Sequence, residues 1–247
     1  MLLVTDNLFS SSWVEMDCPN VEALILNLSS SDYALPSFIA GMKKLKVFTI
    51  TNHGASPAKI TNFSCLSSLP NLKRIRFEKA SVTLLDLPQL RLGSLQKISF
   101  VMCSFGEVFY DCVDVDIPKA LPSLQEIEID YCYDLDEVPY WVSHVVSLKT
   151  LSVTNCYKLS RLPNDIDNLS KLVVLRLASC FNLCELPETT SELRNLRFLD
   201  ISHCTGLRKL PLEIRKLQKK LKKISMRKCW ICELPGSVVN LENLELI

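Results

Sequence analysis

The chain has 247 residues, and its 28 lysine and arginine residues nearly balance 27 aspartate and glutamate residues, for a formal net charge of +1. This balance argues against a nucleic-acid or other polyanionic partner. No apolar run reaches the roughly 18 residues needed to span a membrane, and the opening MLLVT is too short for a signal-peptide core and lacks a basic segment. We therefore expect an intracellular, cytoplasmic protein that does not insert into membranes.

Residues 1–20 do not fit the pattern that dominates the rest of the chain. The letters LLVT predict an initial strand and DNLFSSSW a loop, with Trp13 and Met16 available to cover an apolar face. We expect this segment to cover the N-terminal end of the structure that follows.

Residues 21–123 contain four copies of a short phrase in which apolar and polar residues alternate. The copies begin at Val21, Leu45, Leu72 and Leu95, and their spacings are irregular. Alternation with a period of two is typical of a strand with one buried face. The extra residues fall between the phrases, in TNHGASPAKITNFSCLSSLP and MCSFGEVFYDCVDVDIPKALPS. We predict loops there, because solvated loops tolerate changes in length.

Residues 124–247 repeat the phrase with much greater regularity. Its leading leucines are 24, 24, 24, 25 and 23 residues apart, at Leu124, Leu148, Leu172, Leu196, Leu221 and Leu244. A fixed period of this length with the pattern L-x-x-L-x-L-x-x-N/C is the signature of a leucine-rich repeat. We predict an α/β leucine-rich-repeat solenoid, a curved horseshoe with parallel strands on the concave face and short helical turns and loops on the convex face.

A proline follows the loop of each regular repeat, as in Leu162-Pro163. Proline fixes φ and lacks an N–H, so it can end a loop and start a short helical turn. Apolar residues three and six positions later should bury that turn, and Thr190 breaks this rule, which predicts a weaker contact. Because stacked neighbours bury each repeat and no polar cap follows Ile247, we expect the chain to be cut from something longer.

Six of the eleven cysteines occupy the N/C position of the pattern, and they are Cys103, Cys132, Cys156, Cys180, Cys204 and Cys229. Free cysteine is small and readily buried, so we interpret these six as a structural ladder of packed thiols. Neighbouring turns lie about 4.8 Å apart, which leaves a disulfide between two of them as the alternative. Cys229-x-x-Cys232 looks like half of a zinc or redox motif, but no second pair or histidine cluster completes it.

No constellation of residues predicts catalysis. The sequence has no phosphate-binding glycine loop, and its three histidines lie in different repeats. His53 falls at the position that cysteine occupies in other repeats, which predicts a structural role for it. We therefore expect neither an enzyme nor a bound cofactor or metal.

The polar positions of the strands are the remaining candidates for function, and they form bands of charge. The third repeat is mainly basic, the fifth is acidic, and the eighth and ninth are mainly basic again. Such bands suit a protein partner of complementary charge, and ordinary solvated surface is the alternative. The candidate partner-facing residues are Arg74, Arg76, Lys79, Glu126, Glu128, Asp130, Tyr131, Arg176, Phe198, Asp200, His203, Lys223, Arg227 and Lys228.

Several phrases resemble one family closely. The pattern L-x-x-L-x-L-x-x-C-x-x-L-x-x-L-P, with segments such as DYCYDLDEVPYWV and LRFLDISHCTGLRKLP, resembles plant intracellular nucleotide-binding leucine-rich-repeat immune receptors. The likeness is greatest to the helper subgroup, whose N-terminal domain is related to a powdery-mildew resistance protein. Within it, the chain resembles the clade first defined as required for function of the N resistance gene, and the resemblance covers nearly the whole sequence.

The resemblance implies a module that folds against a nucleotide-binding switch module, helps to hold it inactive, and acts in defence and hypersensitive cell death. In the family, lipase-like heterodimers are signalling partners, and the activated receptor associates with the plasma membrane. ADP or ATP is implied only for the nucleotide-binding domain, which this sequence does not contain. The alternative is a stand-alone truncated adaptor or decoy that binds the same partners without a nucleotide switch.

Overall fold

The computed structural model describes residues 1–4, 16–81, 90–106, 116–231, 236 and 245–246. Trp13, Cys232, Leu244 and Ile247 lie outside these described residues. Contacts divide the chain into two compact units, Met1–Leu124 and Gln125–Ile247. We call them unit 1 and unit 2.

Unit 1 contains a parallel sheet built from the predicted strand phrases. Its strands are β1 (Leu2–Val4), β2 (Ala23–Leu28), β4 (Val47–Asn52), β6 (Arg74–Glu78) and β8 (Lys97–Val101). A second parallel sheet contains β3 (Asp32–Ala34), β5 (Ala58–Thr61) and β7 (Ala80–Ser81). The short helices are the 3-10 helices η1 (Ser37–Gly41) and η2 (Phe63–Ser68) and the α-helix α1 (Ile117–Ala120).

The second sheet shows that the prediction of loop alone for TNHGASPAKITNFSCLSSLP is wrong. Within that stretch, β5 buries Ala58 and Ile60 and exposes Lys59 and Thr61. Its residues Lys59 and Ile60 align with Asp32 and Tyr33 of β3. The apolar pair was too short to stand out in the sequence, and it becomes a strand because a neighbouring repeat offers an edge to pair with.

Unit 2 contains one strand for each regular repeat. The strands are β9 (Glu126–Asp130), β10 (Thr150–Thr154), β11 (Val174–Arg176), β12 (Phe198–Asp200), β13 (Lys223–Ser225) and β14 (Glu245–Leu246). Between the strands lie the 3-10 helices η3 (Tyr140–His144), η4 (Ile166–Asn168), η5 (Glu188–Glu192) and η6 (Ile214–Leu217). Neighbouring strands are parallel and in register, so that Leu151, Leu175, Leu199 and Ile224 form one fully buried column.

The repeat that begins at Leu45 departs from the cysteine pattern. The side chain of His53 is exposed, whereas Asn52 is buried, with 3% exposure. Asn52 Nδ2 donates to the carbonyl oxygen of Ser56 at 2.8 Å, and its Oδ1 accepts from the Gly54 N–H at 3.0 Å. The prediction of a structural role for His53 is therefore wrong, because the buried amide that holds this turn together belongs to the residue before it.

Thr190 lies in the column of residues that follows each proline by three positions. Val142, Ile166 and Ile214 are its equivalents in other repeats, and all four side chains have 0% exposure. Thr190 Oγ1 has no hydrogen-bond partner among the described residues. The structure buries Thr190 as fully as its apolar equivalents, and what distinguishes it is a buried, unsatisfied hydroxyl, which costs about 1–3 kcal/mol. The weaker contact predicted from the sequence stays a prediction.

We expect Thr190→Val to raise the free energy of unfolding by about 1–2 kcal/mol, since valine keeps the shape and removes the unpaired hydroxyl. Urea denaturation followed by circular dichroism measures this change. The matched control is Thr189→Val, because the Thr189 hydroxyl donates to the Asn164 carbonyl oxygen at 2.6 Å. That variant should lose about 1 kcal/mol. Equal destabilisation of both variants would contradict the assignment.

Candidate interaction surface

All fourteen predicted partner-facing side chains are partly or fully exposed. Three belong to unit 1 and eleven to unit 2. They lie on strands β6, β9, β11, β12 and β13 or just after those strands. For those on the strands, exposure follows from the alternation of each strand, which sends every second side chain to the core and the others to solvent.

The basic band of unit 1 is partly neutralised within its own strand. Arg76 Nη2 donates to Glu78 Oε2 at 3.2 Å, and both side chains are partly exposed. Exposed pairs of this kind contribute little to stability. Arg74 is the more exposed arginine of the strand and is the better placed of the two to meet a partner.

The acidic band of unit 2 consists of Glu126, Glu128 and Asp130 on β9. Asp130 Oδ1 accepts hydrogen bonds from Thr154 Oγ1 at 2.7 Å and from Asn155 Nδ2 at 2.8 Å. This carboxylate therefore holds the neighbouring strand end in place as well as contributing charge. The sequence between Lys119 and Lys149 contains six acidic residues and no lysine or arginine, so the band lies in a strongly acidic repeat.

The band at the C-terminal end of unit 2 is mixed in character. The Arg176 guanidinium lies over the Phe198 ring, 5.5 Å from its centroid. Asp200 Oδ1 accepts from the Ser202 N–H at 3.1 Å. Beyond them lie the candidate residues His203, Lys223, Arg227 and Lys228.

In each unit, left-handed residues follow the strands of the repeats. Lys79, Met102, Tyr131, Asn155, Ser179, His203 and Lys228 all have φ between 51° and 61°. Six of the seven directly precede a ladder cysteine, and Lys79 precedes Ala80. Left-handed backbone usually costs a non-glycine residue about 1–2 kcal/mol. None of these positions is glycine, so the usual sequence signal of such a turn is absent.

Thiols of the cysteine ladder donate weak hydrogen bonds to backbone carbonyl oxygens of the preceding repeat. Cys180 Sγ donates to the Val153 carbonyl oxygen at 3.4 Å, and Cys204 Sγ donates to that of Leu177 at 2.9 Å. Cys103, Cys132, Cys156, Cys180 and Cys204 are buried, and Cys229 is half-buried. The nine cysteines of the described ranges are all free thiols.

Burial also changes the chemistry of these thiols. Desolvation raises the pKa of Cys103 to about 12 and that of Cys204 to about 12. Desolvation also raises the pKa of Cys180 and, less strongly, that of Cys229. Since the thiolate is the reactive form, these cysteines pack rather than react.

A row of exposed aromatic rings follows the cysteine ladder, and sequence reasoning missed most of it. We call Tyr131, Tyr133, Tyr157 and Phe181 the aromatic edge. Successive ring centroids are 6.4, 5.6 and 4.9 Å apart, and the Tyr157 and Phe181 rings are nearly parallel, at 4°. Tyr133, Tyr157 and Phe181 are 51%, 36% and 42% exposed. The signal was present as an aromatic residue directly after Cys132, Cys156 and Cys180.

The aromatic edge is held by its surroundings. A Cβ on Gly206 would lie 2.5 Å from the Phe181 carbonyl oxygen, so the next loop packs against the backbone that carries Phe181. Partial desolvation raises the pKa of Tyr157, and Tyr131, Tyr133 and Asp130 nearby raise it further. The Tyr157 phenol is therefore uncharged at physiological pH, and its ring is held between those of Tyr133 and Phe181.

The described residues contain neither a metal-binding cluster nor a membrane-spanning helix. No group of three or more His, Cys, Asp or Glu side chains in those ranges could hold a metal ion. Within the same ranges, no helix has the length and apolar character that crossing a membrane requires.

Curated plant proteins are similar to this chain. It is 66% identical over 242 residues to the probable disease resistance protein At5g66890 of Arabidopsis thaliana, covering 98% of this chain and 58% of that protein. It is 77% identical over 147 residues to the probable disease resistance protein At5g66910 of the same species, covering 60% and 18%. The chain therefore spans less than two thirds of either relative. These homologues confirm the predicted likeness to plant disease resistance proteins.

Solved structures agree on the fold, whereas no family model matches the chain. The leucine-rich repeat domain of the type III effector XopL matches with a TM-score of 0.70 and 20% identity, covering 92% of this chain and 75% of that chain. A chain of the octameric complex of Latrophilin 3, Unc5D and FLRT2 matches with a TM-score of 0.59 and 18% identity, covering 93% and 70%. The predicted leucine-rich-repeat fold is confirmed.

Proposed function

We propose, from its homology to plant disease resistance proteins, that this chain is the protein-interaction and autoinhibitory module of a helper-type immune receptor of the N-required-gene clade. It acts in the defence response and hypersensitive cell death, in the cytoplasm, and it catalyses no reaction. The observation that carries the proposal is 66% identity over 98% of the chain to a probable disease resistance protein. Its partners are the receptor's own nucleotide-binding module and lipase-like signalling heterodimers.

The strand face of unit 2 supports an interaction role. In-register parallel strands hold side chains of successive repeats about 4.8 Å apart on a rigid frame. Glu126 and Glu128 lie on this face at the acidic repeat, and Lys223 and Arg227 lie on or just after the last fully described strand. Opposite charges at separate places on one surface select a partner's orientation as well as its identity.

Charge reversal of the acidic band tests the proposal in a receptor in which this chain is joined to the nucleotide-binding module of a relative. Glu126→Lys with Glu128→Lys should weaken binding of that module by about tenfold or more, since like charges across an interface cost several kcal/mol. Loss of autoinhibition should appear as cell death in leaves without a pathogen. Asp130 is left unchanged because its hydrogen bonds hold β10.

The matched control reverses two carboxylates that lie outside the strands, Glu185→Lys with Glu213→Lys. This variant should keep wild-type autoinhibition and partner binding, and both variants should unfold at temperatures close to that of the parent. Unchanged autoinhibition and binding in the folded Glu126 and Glu128 variant would count against a role for the acidic band.

A stand-alone adaptor or decoy is the second candidate, and one comparison favours it. The match to At5g66890 takes 242 residues and makes up 58% of that relative, whereas 147 residues make up only 18% of At5g66910. At5g66890 is therefore roughly half as long as At5g66910, and it matches nearly the whole of this chain. Sequencing full-length transcripts decides between the candidates, since a longer transcript that encodes a phosphate-binding loop would exclude the adaptor.

A further inference from the structure

The aromatic edge and the acidic band meet in one part of unit 2. Tyr131 directly follows Asp130, the last residue of β9, and Tyr133 lies two residues further along the same chain segment. Asp130 is also close enough to Tyr157 to affect its pKa. Four contiguous rings therefore border the most acidic repeat of the chain.

Exposed rings beside carboxylates have a defined chemical preference. The face of an aromatic ring is electron-rich and attracts a cation that lies within about 6 Å of its centroid. Neighbouring carboxylates add attraction for the same cation. Arginine fits such a site better than lysine, because its planar guanidinium can stack on a ring while it donates to a carboxylate.

The same protein already pairs rings with arginine at two other places on its surface. Arg176 lies over Phe198 at 5.5 Å, and Arg208 lies over Trp230 at 5.6 Å. In the described part of the chain, the four rings of the aromatic edge have no arginine or lysine placed over them in this way. They are partly or fully exposed rings that begin in the acidic repeat, which has no lysine or arginine between Lys119 and Lys149, and continue into the next two repeats.

We propose that the aromatic edge and the acidic band together are the docking site for a positively charged segment of a protein partner, whose arginine side chains stack on Tyr133, Tyr157 and Phe181. The inference rests on the proposed function as a protein-interaction module and deepens it by assigning the partner's chemistry. Lys158, which directly follows Tyr157 in the sequence, disfavours such a segment and limits its affinity.

Fluorescently labelled peptides test the docking site on the full 247-residue chain. The probes are three octapeptides in which glycine alternates with arginine, lysine or glutamate. Fluorescence anisotropy should show binding of the arginine peptide, binding of the lysine peptide about two- to fivefold more weakly, and none of the glutamate peptide. Equal binding of the arginine and glutamate peptides, or binding of neither, would overturn the proposal.

Substitutions in the aromatic edge separate ring chemistry from apolar contact. Tyr157→Leu with Phe181→Leu should weaken binding of the arginine peptide about tenfold, whereas Tyr157→Phe keeps the ring and should leave the affinity unchanged. Trp230→Leu is the matched control, because that ring is already occupied by Arg208. Lys158→Ala should strengthen binding. Full binding by the double leucine variant, with an unaltered melting temperature, would show that the rings are not the site.

The two proposals fail in different ways. In one case the double leucine variant still binds the nucleotide-binding module and keeps autoinhibition, and the wild-type chain binds the arginine and glutamate peptides equally. This result would exclude a positively charged partner at the aromatic edge, but it would be consistent with the proposed interaction module. In the other case the chain binds the arginine peptide specifically, but it does not inhibit the receptor to which it is joined. This result would exclude the autoinhibitory role and would support the docking site.

Discussion

Phe77→Ala should lower the free energy of unfolding by about 3–5 kcal/mol, the largest stability effect that we expect in the chain. Phe77 has 0% exposure and lies between two other rings in unit 1. It stacks on Phe100 with centroids 5.7 Å apart and meets Phe63 edge-on at 5.8 Å. Alanine removes both ring contacts and leaves a cavity that parallel strands on each side cannot collapse to fill.

Denaturant unfolding monitored by far-ultraviolet circular dichroism measures the loss, and hydrogen exchange locates it in unit 1. The matched control is Phe181→Ala, which removes a ring of the same size that is 42% exposed. That variant should lose no more than about 1.5 kcal/mol, because the contact with Tyr157 is a single surface ring pair. Similar losses in the two variants would contradict the placement of Phe77 at the centre of the core.

Leu175→Ala and Leu199→Ala should each lower the free energy of unfolding by about 2–5 kcal/mol. Both side chains are fully buried, and their strands β11 and β12 pair with Leu175 opposite Leu199. A repeat is stable only through its stacked neighbours, so a cavity in this column weakens the interfaces on both sides. The expected loss therefore includes the coupling between repeats as well as the buried area of one leucine.

Leu212→Ala is the matched control for this column, since Leu212 is 67% exposed. Its effect on stability should stay within about 0.5 kcal/mol. Urea denaturation of the three variants under identical conditions makes the comparison. Near wild-type stability for Leu175→Ala and Leu199→Ala would show that these leucines do not face the core.

Much of the fold could be predicted because the same pattern of buried and exposed residues recurs in every repeat. The 24-residue period and the alternation within each phrase predicted the parallel strands, and Leu151, Leu175 and Leu199 are buried as that alternation requires. The candidate partner-facing residues could be placed on exposed positions for the same reason. Each repeat packs only against its neighbours and does so in the same way, so the pattern of one period predicts which residues are buried in the whole array.

The exceptions arose where particular contacts, within one turn or between repeats, override the general pattern of the repeat. Asn52 replaces His53 in the interior because its amide satisfies the Ser56 carbonyl and the Gly54 N–H. Strand β5 forms because β3 and β7 lie on either side of it. Neither outcome has a strong local signal, since the Asn52 amide needs the particular turn that brings Gly54 and Ser56 to it, and β5 needs strands in other repeats.

The sequence by itself determined the repeat architecture, the buried leucine columns and the position of each cysteine at a strand end. Tertiary structure decided what surrounds those features, including the left-handed residue before each ladder cysteine and the joining of Tyr131, Tyr133, Tyr157 and Phe181 into one surface. The two kinds of feature differ in how far apart in the sequence the residues that form them lie. Burial within a strand follows from alternation over a few residues, whereas a surface of stacked rings requires side chains 24 residues apart to meet.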